Sequence, residues 1–261
     1  MHVRVKSTVA EMHKAASHGR LGRIGGIVLV AIAFAVLLSL GTWQLERLHW
    51  KEALIAAISE RRSAPPAPLG EIEALAAAGE DIDYRSISVS GVYDHGKERH
   101  FFATYDGRTG YYVFTPLMLA DGRALFVNRG FVPFEKKDAA TRAEGQVGGN
   151  VTINGLARSR LSEKPSSLVP DNDIAKNIFY WKDLGAMTQT AGIAADRVVP
   201  FFVDADAAKN PGGLPVGGVT RFDLPNNHLQ YALTWYGLAG ALVVVSGAYL
   251  YRQRRRDHSG E

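Results

Sequence analysis

Cysteine is absent from all 261 residues. That excludes disulfides, thiolate metal sites, iron–sulfur ligation and a cysteine nucleophile. It does not fix the compartment, because a disulfide-free domain also suits the oxidising side of a bacterial inner membrane. A nucleotide-binding loop, a zinc signature and a nucleophile elbow are missing too. Ser, His and Asp occur, but no spacing groups them into a triad, and no catalytic residue is expected. Internal repeats are absent. Acid is scarce in the first 23 residues, where Glu11 stands alone against Arg4, Lys6, Lys14, Arg20 and Arg23. Charge of either sign is missing from two long apolar runs near the ends.

The first run, Ile24 to Leu45, reaches about the 20 residues that carry a helix across a bilayer core. A cleavable signal peptide is the rival. Its apolar region would be shorter, about 7–15 residues, and would end at a small-residue cleavage site. Here the run passes straight into Glu46 and Arg47, so an uncleaved anchor is expected. The second run extends from about His228 to Tyr251. Its small residues Gly237 and Ala241, and Gly240 and Val244, fall four apart. Such spacing lets helix backbones approach closely. The expected partner is the first span or another membrane protein, unless glycine is there merely because membrane helices use it freely.

Basic residues crowd both ends, and Arg252, Arg254, Arg255 and Arg256 follow the second run. Lysine and arginine in short flanks mark the cytoplasmic side. The expected division is a cytoplasmic tail (1–23), a first transmembrane helix (24–45), a domain facing the periplasm or its organellar equivalent (46–227), a second transmembrane helix (228–251) and a basic cytoplasmic tail (252–261). Nucleic-acid binding is excluded as the purpose of these clusters. Each abuts an apolar span, and no nucleic-acid fold signature accompanies them.

Between the spans the period changes. Glu46–Arg62 reads as an amphipathic helix stopped by SAPPAPLG, since proline cannot continue it. In Tyr84–Tyr93, Ile87 and Val89 alternate with serines, a half-buried strand pattern. Arg99–Tyr105, Gly110–Leu119, Ala124–Phe134, Val151–Ala157 and Val198–Val203 are further strands. Asp106-Gly107 and Asp121-Gly122 are turn signals, the latter a hairpin. A short helix is expected around Trp181–Thr190. Val127–Pro133 (VNRGFVP) reads as a tight turn or bulge with a structural role, partner contact being the second reading, and Gly130 supplies a backbone angle other residues reach at a cost. The fold class is therefore α+β, with two transmembrane helices flanking a β-rich domain. Sandwich and partly closed barrel stay open.

The stretch Pro225–Trp235 (PNNHLQYALTW) carries the candidate site. On a helix, His228, Tyr231 and Trp235 share a face, with His228 and Trp235 roughly 20° apart. An ionisable side chain at the edge of a membrane span is a functional candidate. One reading is an axial imidazole with aromatic walls for haem; the other is an interfacial belt of amphipathic side chains. At the outer end of the first span lie Trp43, Gln44, Arg47 and Trp50. Arg47 suits a haem propionate or simple interface anchoring. His49, His95 and His100 are competing imidazoles, each read as a surface histidine.

Several segments follow one another in order along the chain: Gly41-Thr42-Trp43-Gln44 with Arg47 and Trp50-Lys51, then Val89–Tyr93 with Asp94-His95, then Thr115-Pro116-Leu117 and Val127–Pro133. Asn227-His228, Tyr231-Ala232 and Thr234-Trp235 complete the set. Taken together, they resemble the surfeit locus protein one family of cytochrome oxidase biogenesis factors. The resemblance implies a non-enzymatic assembly factor for a haem–copper terminal oxidase in the bacterial inner membrane. It implies binding of haem a and help with its insertion into the oxidase's catalytic subunit. The family's haem ligand maps onto His228, which is the expected metal (haem iron) contact, and its companion aromatic onto Trp235. Tyr231, Trp43 and Arg47 complete the expected cofactor-binding set. The expected partners are the terminal oxidase catalytic subunit, membrane lipid and, as a further candidate, haem a synthase. The rival is a cofactor-free membrane scaffold for oxidase subunits. A two-span sensor or polysaccharide chain-length regulator fits poorly, because the C-terminal tail is short and the middle alternates like strands.

Overall fold

A computed structural model describes residues 3–258 apart from 221 and 223, with side chains placed from 24 to 256. The basic side chains expected to orient the first span, Arg4 to Arg23, lie outside the described residues. The chain divides into two compact units, 1–55 with 224–261, and 56–223.

The first unit is a pair of helices. Helix α1 runs Val3–Ser63 and continues without interruption into the segment expected as a separate amphipathic helix. Between Gly41 and Ser63 lie mostly good helix formers, Leu, Glu, Arg, Lys and Ala, and no proline, so nothing local breaks it. Pro65 and Pro66 follow its end, as expected. A second helix, which we label α4 because it is the last in the chain, runs His228–His258. Among the described residues these two are long and apolar enough to cross a membrane.

They pack along complementary seams. On α1 the less exposed positions Val30, Phe34, Leu37, Gly41, Gln44 and Leu48 recur at alternating four- and three-residue intervals; on α4 His228, Ala232, Trp235, Ala239, Leu242 and Ser246 do the same. A seven-residue repeat of this kind keeps one stripe on the partner helix. Ala232 and Ala239 are buried, whereas Ile27, Leu29, Val243, Val244 and Val245 point outward. At Gly41 an added Cβ would sit 2.7 Å from the Tyr236 ring, so only glycine admits that ring. The small-residue face expected to meet the first span does not do so. A Cβ on Gly237, Gly240 or Gly247 meets nothing within 4 Å. The seam from His228 to Ser246 leaves those glycines on the opposite side of α4.

The second unit is a closed five-stranded barrel, which decides between the two expected β architectures. Its strands, in chain order, are β2 (Ser86–Tyr93), β4 (Arg108–Met118), β5 (Ala124–Pro133), β6 (Asn150–Ser159) and β8 (Val198–Ala205). Around the barrel they pair in the order β2, β6, β8, β5, β4, and Val92↔Met118 with Tyr93↔Leu117 close the ring. β3 (Arg99–Tyr105) extends the sheet beyond β4. Two-residue strands β1 (Ala67–Pro68) and β7 (Ile178–Phe179) pair with β2 and β3 respectively. All but one of the barrel pairings are antiparallel. The exception is β5 with β8, which run parallel, and the long connection between them, including α3 (Leu184–Thr190), makes that possible.

Alternation sorts the core. Ile87, Val89, Leu117, Leu125, Val127, Phe201 and Val203 form one buried cluster, joined by Ile72 from α2 (Leu69–Ala77). Phe114, Phe126 and Phe202 turn the other way and pack against Leu184 and Met187 of α3. β5 is buried on both faces along its whole length, which is why its sequence reads as a continuous rather than an alternating run. α2 was not expected. Its apolar positions follow directly on a proline-rich stop, and the segment is short.

Candidate functional site

At the start of α4 the imidazole of His228 is half-buried, and its Nδ1 lies 2.7 Å from Oε1 of Gln44 on α1. A glutamine carbonyl oxygen can only accept, so Nδ1–H donates. Among the described residues Nε2 makes no hydrogen bond. A second polar contact ties the same pair: Thr42 Oγ1 and Tyr236 Oη are 3.1 Å apart. Two residues before His228, Asn226 Oδ1 is buried without a hydrogen-bond partner among the described residues. Farther along the pair an apolar groove of about 560 Å³ is lined by Leu37, Leu40, Trp235, Leu238, Leu242 and their neighbours.

The expected site residues therefore part company. His228 and Trp235 both border the α1–α4 seam, the former at its polar end and the latter on the groove. Tyr231 is 54% exposed. Trp43 is also exposed, and Arg47 places its guanidinium carbon 4.0 Å over the Trp50 ring. Sequence reasoning left Gln44 out of the site. Its signal was present in the spacing: Gln44 is a polar residue one turn from Gly41, on the stripe that Gly41 marks as a close approach. An imidazole with one nitrogen fixed and the other bearing a lone pair suits iron ligation. His228 could thus supply one bond from the protein to such an iron.

The barrel also buries polar groups outside the expected site. Arg129 is buried on β5; its guanidinium donates to Gly145 O at 2.6 Å and to Asn210 Oδ1 at 3.1 Å, and lies over the Tyr93 ring. Arg142 forms a buried two-bond pair with Glu98. Burial alone would raise the Glu98 carboxyl, but contacts from His95 and Arg142 outweigh it and hold the group near 2. Burial also pushes the Tyr93 hydroxyl up to about 12.

His100 corrects the surface assignment most plainly. It is 8% exposed, receives an Asn177 amide on Nδ1 and packs edge-on against Tyr111. Burial drives its pKa down to about 4, with Glu98 offsetting part of the shift. His95 is half-buried, its Nε2 2.9 Å from Val147 O. On β3, His100 stands opposite Val113 of β4, and the Tyr111 ring lies beside it. Neither imidazole belongs to a group of three or more metal-ligating side chains among the described residues.

The motif Val127–Pro133 has the structural role expected of it, inside a strand rather than at a turn. Tyr112 pairs with Phe131 and Phe114 with Asn128, so Arg129 and Gly130 together face Val113 alone, a β-bulge. Gly130 has φ 121°, and a Cβ there would sit 1.9 Å from the Val216 carbonyl oxygen. Asn128 holds the bulge from both sides. Its Nδ2 donates to Asp204 Oδ1 at 2.9 Å and its Oδ1 accepts from Gly130 N at 3.1 Å.

Residues 31–240 match the model of the SURF1 family. The chain is similar to Surfeit locus protein 1 of Mus musculus, 39% identical over 244 residues that cover 87% of this chain and 74% of the relative. It is likewise similar to Surfeit locus protein 1 of Takifugu rubripes, at 37% over 224 residues covering 79% and 89%. A SURF1-like protein of Rickettsia felis is 28% identical over 225 residues, covering 85% of this chain and 95% of that one. The order of motifs along the chain and these matches agree: the chain belongs to the SURF1 family.

Proposed function

We propose that this protein is an assembly factor for a haem–copper terminal oxidase, which holds haem a as cargo at the outer end of its helix pair and aids its insertion into the catalytic subunit. The single observation that carries this reading is the His228–Gln44 pair, which leaves Nε2 free of hydrogen bonds among the described residues. His228 would hold the iron. Trp235 and the apolar groove would shelter hydrophobic parts of the cargo from water, and Arg47 with Trp43 would stand at the rim. Bound haem a supplies the iron centre that the oxidase later uses. The protein's own residues only bind, orient and release it, which calls for no catalytic turnover.

Both helices span the bacterial inner membrane in this reading, with the basic tails cytoplasmic and the barrel on the periplasmic side. Outward-facing Ile27, Leu29, Val243 and Val245 support it, because a contiguous apolar surface of that kind is not left in water. Partners are the oxidase catalytic subunit and haem a synthase.

A specific feature favours a second reading, a scaffold that docks oxidase subunits without cargo. Phe134 is 62% exposed and Phe102 40%, and both contact Tyr111 on one side of the barrel. Exposed aromatic clusters are common anchors of protein interfaces. The two readings separate on purification from cells that make haem a. The carrier reading expects a Soret band in the wild-type chain and its loss in His228→Ala. Colourless wild-type protein, or a band indifferent to that substitution, would leave the scaffold.

A further inference from the structure

We infer that Gln44 is a positioning residue for His228: it fixes the imidazole in the Nδ1–H form and so keeps the Nε2 lone pair available for iron. The inference rests on the carrier reading above. Gln44 itself touches no cargo.

The chemistry follows from two atoms. Neutral imidazole carries one N–H and one lone pair, and the hydrogen bond made by one nitrogen decides which is which. Here Nδ1 faces an amide oxygen at 2.7 Å. A short contact to an acceptor makes Nδ1 the donor and leaves the lone pair on Nε2. Without it, the ring would be free to exchange its proton between the nitrogens and to rotate about its side-chain bonds.

The helix pair holds Gln44 in place. Gly41 admits the Tyr236 ring, and Thr42 meets the Tyr236 hydroxyl. These contacts fix how α1 lies along α4 within one turn of Gln44. The second helix thus supplies the ligand, and the first supplies its orientation.

The choice of an amide also has a consequence. A carboxylate in the same place would draw the Nδ1 proton towards itself and make Nε2 a stronger donor to iron. A neutral amide orients the ring without that added strength, which suits a cargo that must leave.

The test uses the full chain in detergent micelles, with and without added haem a. In the haem-free protein labelled with nitrogen-15 histidine, the His228 signals are identified by their loss in His228→Ala. Wild type should show protonated Nδ1 and unprotonated Nε2, and Gln44→Leu should shift the ring towards the Nε2–H form. On titration with haem a, Gln44→Leu should bind about 10–100-fold more weakly, the usual effect of removing such a partner. Gln44→Glu keeps an acceptor of the same length. It should retain the Nδ1–H form and lower the midpoint potential of bound haem, and it keeps the inference testable if the leucine variant does not fold. A wild-type ring protonated at Nε2, or a tautomer and affinity unchanged in Gln44→Leu, would overturn the inference alone. So would an unchanged potential in Gln44→Glu. Wild-type protein that shows the Nδ1–H form but takes up no haem a would instead overturn the carrier reading on which the role depends.

Discussion

At the scale of single residues, the barrel keeps one carboxylate among cations and one histidine without charge. Glu98 is held near 2 and His100 near 4. Both values lie below those of the unfolded chain, so unfolding takes up protons as pH falls and stability drops. The His100 contribution is complete above about pH 6.5 and is lost as pH falls towards 4; that of Glu98 is complete above about pH 4.5 and fades towards 2. Urea unfolding of the full chain in detergent between pH 7 and 4 should therefore show a progressive loss of stability, of at most about 3 kcal/mol from His100. His100→Gln should flatten that slope. A slope that survives the substitution would assign it to other groups. Glu98→Gln removes the partner of Arg142 and leaves a buried guanidinium uncompensated, which should cost about 3–5 kcal/mol at neutral pH. None of this was legible beforehand. A histidine in a seven-residue strand looks the same in sequence whether its face meets water or a second layer. Only the β3–β4 pairing and the segment bearing Asn177 enclose His100. His228 could be singled out as a candidate because its position beside an apolar run is a linear fact. Gln44 was harder, since its partner is far away in the chain.

At the scale of elements, the bulge in β5 and the glycine on α1 are two points where a side chain has no room. Gly130→Ala adds strain at φ 121° and drives a methyl group into the Val216 carbonyl. It should destabilise the barrel by about 2 kcal/mol or more, read by thermal or urea unfolding; an unchanged midpoint would mean that the bulge relaxes freely. Gly41→Val should displace the Tyr236 ring, separate Thr42 from the Tyr236 hydroxyl and loosen the grip of Gln44 on His228. The readout is the His228 nitrogen shifts, which should move as they do in Gln44→Leu. The strands were largely readable. Ile87 and Val89 alternating with serine, and two Asp-Gly turns, placed β2 to β5 closely. α2 escaped because its nine residues follow directly on a proline-rich stop, and the two edge strands because two residues carry no period. The continuous helix α1 escaped for another reason. A change from an apolar run to an amphipathic one suggests a boundary, yet the backbone sees only residues that favour helix throughout.

At the scale of the whole molecule, the two-unit division follows from where the apolar residues lie along the chain. Alternating ones close a small barrel around Leu117, Leu125, Val127 and Phe201. Continuous ones form a helix pair whose polar contacts gather at one end. The closed form of the barrel could not be read in advance, because closure depends on Val92 meeting Met118, a pairing across the ring that no local pattern records. Family membership spans both units, 31–240, so the helix pair and the barrel are matched together. In the proposed function the helix pair receives cargo; in the rival scaffold reading the barrel offers the aromatic surface of Phe102 and Phe134 to a protein partner.

The ligation itself is read most directly by near-infrared magnetic circular dichroism of the ferric, haem-loaded protein, which reports axial ligands. Wild type should give the signature of an imidazole ligand, His228→Gly should lose it, and added imidazole should restore it to the glycine variant. An imidazole signature that persists in His228→Gly without added imidazole would contradict the account, because the iron would then be held elsewhere.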